Sequence, residues 1–171
     1  MPKTLLALFA VSAVVAAAAT AAPAARLAGC ALVTTRDAQL ALGGLFRISL
    51  VQQAKINVRE CSIRVVRTKP EGIEPYIIVR DWPDGGGKRA FDFTVKTLRP
   101  RKQPKGIRFV SFTPLKGLGA KAYTSELLIK GHPRRSVLVW TGSNFVHVFN
   151  AVASVTLPQL VGLARDAVPR S

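Results

Sequence analysis

Ser143, His147 and Asp81 are the residue types of a nucleophile, a base and an orienting acid, and a hydrolase would need all three within hydrogen-bond reach. The local pattern is against it: Thr141-Gly142-Ser143-Asn144 is not the GxSxG of a nucleophile elbow, and no base adjoins the serine. His132 and His147 have no third histidine or carboxylate at ligand spacing, so neither a metal nor another cofactor is expected. Gly85-Gly86-Gly87-Lys88-Arg89 has the composition of a phosphate cradle, because backbone amides at a helix start attract anions. It lacks the GxxxxGK(S/T) spacing and reads as a flexible loop. Trp82, Trp140 and Tyr123 could line a pocket, yet rings at strand positions belong more often to a core.

The strongest chemical signal is charge. Lys96, Arg99, Arg101, Lys102, Lys105 and Arg108 follow one another with no acidic residue among them, broken by Pro100 and Pro104. They form either an anion-binding patch or a solvated loop. The whole chain carries 25 Lys and Arg against 9 Asp and Glu, a formal charge of +16. In the cytoplasm that balance would suggest nucleic acid, since phosphate contacts supply most non-specific affinity. Residues 1–21 argue for another compartment: Lys3, an apolar run from Leu5 to Ala19 and the Ala19-Thr20-Ala21 pattern form an export signal. The run falls short of the roughly 20 residues that span a bilayer, so a permanent transmembrane anchor is not expected. Losing Lys3 with the leader removes one charge and leaves a strongly basic protein. Outside the cytoplasm the available polyanions are lipid headgroups, lipopolysaccharide and wall polymers, and nucleic acid drops behind them. Residues 22–171 suffice for one domain, expected as a monomer with its ordered part near 30–168, able to bury roughly 70% of its extended-chain surface.

The elements that must hold these residues are legible in part. Thr34-Thr35-Arg36-Asp37 fits a capping box, opening a short helix through Leu42 that Gly43-Gly44 stop. Phe46, Ile48 and Leu50 alternate with Arg47 and Ser49 as a strand. From Ile56 to Arg67 the alternation changes phase, which predicts a bulge or break near Arg59-Glu60. A turn at residues 69–72 precedes a strand from Tyr76 to Trp82. Ala90, Phe91, Val95 and Leu98 recur at helical spacing, with Asp92 and Lys96 placed as an i,i+4 pair, although Phe91, Phe93 and Val95 also alternate. Strands are expected over 107–112, 125–130, 136–141 and 145–152, with 131–135 connecting the middle two as a hairpin. Thr156-Leu157-Pro158-Gln159 starts a final helix with its stripe at Leu157, Leu160, Val161, Ala164 and Val168. This order predicts an α+β fold: a single antiparallel β-sheet with N-terminal, middle and C-terminal helices packed on it.

Two stretches carry a resemblance. Residues 30–44, CALVTTRDAQLALGG, and residues 114–123, PLKGLGAKAY, resemble the C-x-L-(L/V)-T...LG opening and the GLGDxAY segment of a family of small exported bacterial proteins of unknown function. That family is largely actinobacterial, and many of its members are envelope lipoproteins. Ala120 stands where the family has an acidic residue. The resemblance implies a disulfide from the opening Cys30 to a cysteine in an early strand, here Cys61, a fold similar to PsbP-like domains, and no assigned catalytic activity.

Cys30 has a second possible fate. Leu27-Ala28-Gly29-Cys30 fits a lipid-attachment box, but Arg26 would sit close to the bilayer and lipidation would leave Cys61 a lone thiol in an oxidising compartment. The disulfide is the favoured reading, with lipidation of Cys30 as its alternative. The expected function is a non-enzymatic envelope binding or accessory domain that contacts an anionic surface or partner protein. A secreted hydrolase and an extracellular nucleic-acid binder are the rivals.

Overall fold

The computed structural model describes residues 29–43, 47–55, 58–66, 76–82, 86–99, 104–150 and 154–171. The expected export signal at 1–21, Arg101 and Lys102 lie outside the described residues. A 3-10 turn at Gly29–Ala31 leads into α1 (Thr35–Leu42), followed by β1 (Arg47–Lys55), β2 (Val58–Val66), β3 (Tyr76–Trp82) and α2 (Gly87–Leu98). The chain continues through β4 (Ile107–Leu115), β5 (Lys121–Ile129), β6 (His132–Trp140), β7 (Phe145–Asn150) and α3 (Leu157–Ala167). Among the described residues the seven strands make one sheet in the order β1-β2-β3-β7-β6-β5-β4, every pairing antiparallel. The predicted α+β class and single antiparallel sheet are therefore what the chain forms.

One face of the sheet is closed by α1, α3 and the 3-10 turn. The capping box is complete: Thr34 N donates to Asp37 Oδ2 at 2.9 Å and Asp37 N to Thr34 Oγ1 at 3.2 Å, leaving Ala38 and Leu42 to face the core. On α3, Thr156 N donates to Gln159 Oε1 at 2.9 Å, and Leu160, Leu163, Ala164 and Ala167 are fully buried. They meet Ile63, Ile77, Val79, Val137, Val139, Val146 and Val148, the alternate residues of four central strands. Cys30 and Cys61 are paired at disulfide distance with Cα atoms 4.7 Å apart, fixing the 3-10 turn to β2. The C-terminus closes the same face, where Arg170 Nη1 donates to Leu32 O at 3.3 Å and forms an ion pair with Asp37.

Two expectations need correction. Neither a bulge nor a break occurs at Arg59-Glu60: both residues are in continuous register with β1 and with β3. The phase change has another origin, because β2 is covered on both faces, Cys61 and Ile63 on one and Glu60 and Ser62 on the other. A register break does occur in β4 between Phe109 and Ser111, where Val110 projects from the edge. The expected hairpin between β5 and β6 forms, but its connection is a two-residue turn at Lys130-Gly131 rather than 131–135; both turn residues have positive φ, which suits the twist of paired strands and lets β6 begin at His132. In the stretch likened to GLGDxAY, Gly119 has φ +63° and a Cβ there would lie 2.7 Å from Trp140 O. That turn needs glycine at 119 for its shape.

Candidate functional site

The second face of the sheet is covered differently. α2 leaves β3 in the middle of the sheet and crosses towards β4 at its edge, packing over β3, β6 and β7. Its inner side buries Phe91 and Val95 against Leu138 and Phe145, with Trp82, Phe112, Tyr123 and Trp140 around them. The rings interlock: Trp82 stacks on Phe145 at 4.7 Å and Phe91 meets Phe145 edge-on at 5.4 Å. Trp82, Tyr123 and Trp140 are thus packing residues beneath α2.

Gly87 explains how the helix reaches the sheet so closely. It is buried, and a Cβ there would sit 3.0 Å from both Phe145 N and Trp82 O. The glycine run that resembled a phosphate cradle is therefore used, at Gly87, for backbone-to-backbone approach.

With its inner side fixed, α2 presents Lys88, Arg89, Asp92, Phe93 and Lys96 outward around an open depression of about 550 Å³. At 3.6 residues per turn, Arg89 and Lys96 point within about 20° of each other and Phe93 about 40° to one side. Asp92 pairs with Lys88, one turn before it, rather than with Lys96 as the spacing suggested. Phe93 is 70% exposed, an unusual place for a phenyl ring.

Of the six predicted anion-binding residues, four are described, and all four are exposed. Lys96 lies on α2, Arg99 caps it through Arg99 N donating to Val95 O at 3.1 Å, Lys105 occupies the turn before β4, and Arg108 lies on that edge strand. Among the described residues, Arg89, Lys96, Arg99, Lys105 and Arg108 have no carboxylate partner. Other arginines are committed to structure: Arg59 to Asp81, Arg80 to Glu60, and Arg135 to Glu126 at 2.9 Å. From the sequence, Lys88 and Arg89 are set aside with the glycine run as a loop, and Phe93 is not singled out as a site residue. A helical assignment of 87–98 carried to the outward face would have found them, but the strand-like alternation of Phe91, Phe93 and Val95 competed with it.

The catalytic triad considered from sequence does not assemble. Asp81 is in register with Val146 and pairs with Arg59 on the α1/α3 side, whereas His147 is in register with Arg80 and points to the α2 side. His147 is stacked between Phe145 and Phe149, and its Nε2 is buried without a hydrogen-bond partner. Burial, and secondarily the charge of Arg80, push its pKa down to about 3, so the ring is a neutral packing element at pH 7. Ser143 lies exposed in the β6–β7 loop with Thr141 Oγ1 at 3.3 Å, and His132 is exposed at the start of β6.

Among the described residues, no three His, Cys, Asp or Glu side chains gather as a metal site, and no helix is long and apolar enough to cross a membrane. No family model, curated protein or solved structure matches the chain.

Proposed function

We propose that the protein is an exported envelope domain that binds an anionic surface without catalysing a reaction, using the basic face of α2 and its continuation into β4. The observation that carries this reading is the set of exposed cations without carboxylate partners among the described residues, Arg89, Lys96, Arg99, Lys105 and Arg108, beside arginines that are paired elsewhere. Export is supported by the leader-like residues 1–21, by the paired Cys30 and Cys61, which suit an oxidising compartment, and by the resemblance of residues 30–44 and 114–123 to exported bacterial proteins. A sulfur bonded to Cys61 is not available for acylation, which favours a soluble exported form over a lipid-anchored one. The break in β4 at Val110, Pro114 and the charge of Arg108 discourage edge pairing and support a monomer.

The test is retention on heparin and on phosphatidylglycerol vesicles as salt is raised, for the parent and for a Lys96→Gln, Arg99→Gln, Lys105→Gln, Arg108→Gln variant. Salt-sensitive retention that the variant loses supports the reading. Parent and variant eluting together, or a requirement for DNA as the sole polyanion held, sinks it.

A further inference from the structure

A purely electrostatic surface has no use for an exposed phenyl ring, and Phe93 stands among the cations of α2. The inner side of α2 is already spent on the sheet, so this helix cannot sink into a bilayer as a free amphipathic helix would. A single side chain on its outer face can still enter one. We infer that α2 docks flat on the headgroup layer of an anionic lipid bilayer, Arg89 and Lys96 holding phosphates at the depression they line while Phe93 inserts its ring among the acyl-chain ends. This rests on the anionic-surface reading above and names its source as lipid.

The chemistry fits lipid better than the other polyanions. Heparin-like or wall polymers offer charge but no apolar phase for the ring. Single-stranded nucleic acid is held by rows of stacking rings, and here Phe112, Tyr123 and Trp140 pack around Phe91 on the inner side of α2. Aromatic side chains accompanied by Lys and Arg are enriched at the membrane interface, where the ring gains an apolar contact and the cations gain the surface potential. Leu40 supplies an internal comparison: it is 72% exposed on α1, at the opposite face of the sheet, on a helix whose single basic residue is Arg36. The inference gives Leu40 no part in binding.

The experiment is co-sedimentation of the exported, oxidised protein with vesicles of phosphatidylcholine alone and of phosphatidylcholine mixed with phosphatidylglycerol. The parent is expected to bind the mixed vesicles and not the zwitterionic ones. Phe93→Ala weakens that binding about tenfold, the effect of withdrawing a phenyl ring from an apolar phase. Lys96→Gln weakens it about fivefold, and Leu40→Ala leaves it unchanged. Phe93→Trp keeps the affinity and adds, over the signal of Trp82 and Trp140, emission that shifts to the blue and is quenched by brominated acyl chains. Phe93 and Lys96 are exposed, so these variants keep the fold. If Lys96→Gln weakens binding while Phe93→Ala does not, insertion is wrong and the anionic-surface reading stands. Retention on heparin without binding to the mixed vesicles overturns the lipid assignment alone. Indifference to both anionic probes overturns the two readings together.

Discussion

On one side of the sheet, α1, α3 and the 3-10 turn bury a broad aliphatic layer that includes Leu32, Val33, Leu42, Ile63, Leu160 and Leu163. On the other, α2 covers a smaller, ring-rich cluster and turns Lys88, Arg89, Phe93 and Lys96 to solvent. The first side is further secured by the Cys30–Cys61 pair and by Arg170 reaching back to Leu32 and Asp37. The division suggests that stability is concentrated on the α1/α3 side and that recognition is carried by the outer surface of α2. Variants on the two sides should then fail in different assays.

The largest effects are expected on the α1/α3 side. Replacing both Cys30 and Cys61 by Ala releases a loop closed across a sequence separation of 31, and about 3 to 4 kcal/mol of stability should be lost in urea unfolding. Leu163→Ala, at a site with 0% exposure, should cost about 3 kcal/mol by the same measurement. Where either variant still folds, its retention on heparin should match the parent.

Gly87→Ala tests the joint between α2 and the sheet. Its methyl would meet backbone atoms of Phe145 and Trp82 at 3.0 Å, so α2 must shift, with a loss of about 1 to 3 kcal/mol and weaker binding at once. No change in either assay would remove the claim that glycine sets the depth of α2.

A smaller effect should appear on acidification. The pKa of His147 in the fold, about 3, lies below its ordinary 6.5, so the unfolded chain takes up the proton first. Stability is then complete above pH 6.5 and falls as pH drops towards 3, by about 1 to 2 kcal/mol between pH 7 and pH 5. Arg80, in register with His147 on the adjoining strand β3, is the nearby charge, and it is itself paired with Glu60 on β2. His147→Phe should flatten that slope in urea unfolding followed against pH. A parent with no slope in this range would contradict the buried neutral ring.

The smallest change belongs to the C-terminal tie. The Arg170 guanidinium holds the Asp37 carboxyl down to about 2, so this contribution is present above pH 3.8 and is lost as pH falls through about 2. Because the pair is partly solvated, Arg170→Met should lower stability at neutral pH by about 1 kcal/mol or less.

How much of this was legible depended on whether the deciding contact was local. The caps of α1 and α3 depend on residues three apart, Thr34 with Asp37 and Thr156 with Gln159, and both were readable from their spacing. The phase change in β2 was misread as a bulge because the pairing of Glu60 with Arg80, on the next strand, is what buries a glutamate there. Asp92 had lysines one turn before and one turn after it, and spacing alone could not choose Lys88. The basic run was visible from composition, whereas the place of Phe93 among cations required knowing which side of 87–98 meets the sheet.

The most direct test of this division of labour is amide hydrogen exchange of the oxidised protein with and without mixed phosphatidylcholine–phosphatidylglycerol vesicles. The account predicts slower exchange on vesicles within residues 88–99 and 104–108, with 35–42 and 157–167 unchanged. Slowing confined to α1 or α3, or no change at α2 while the protein is bound, would contradict it.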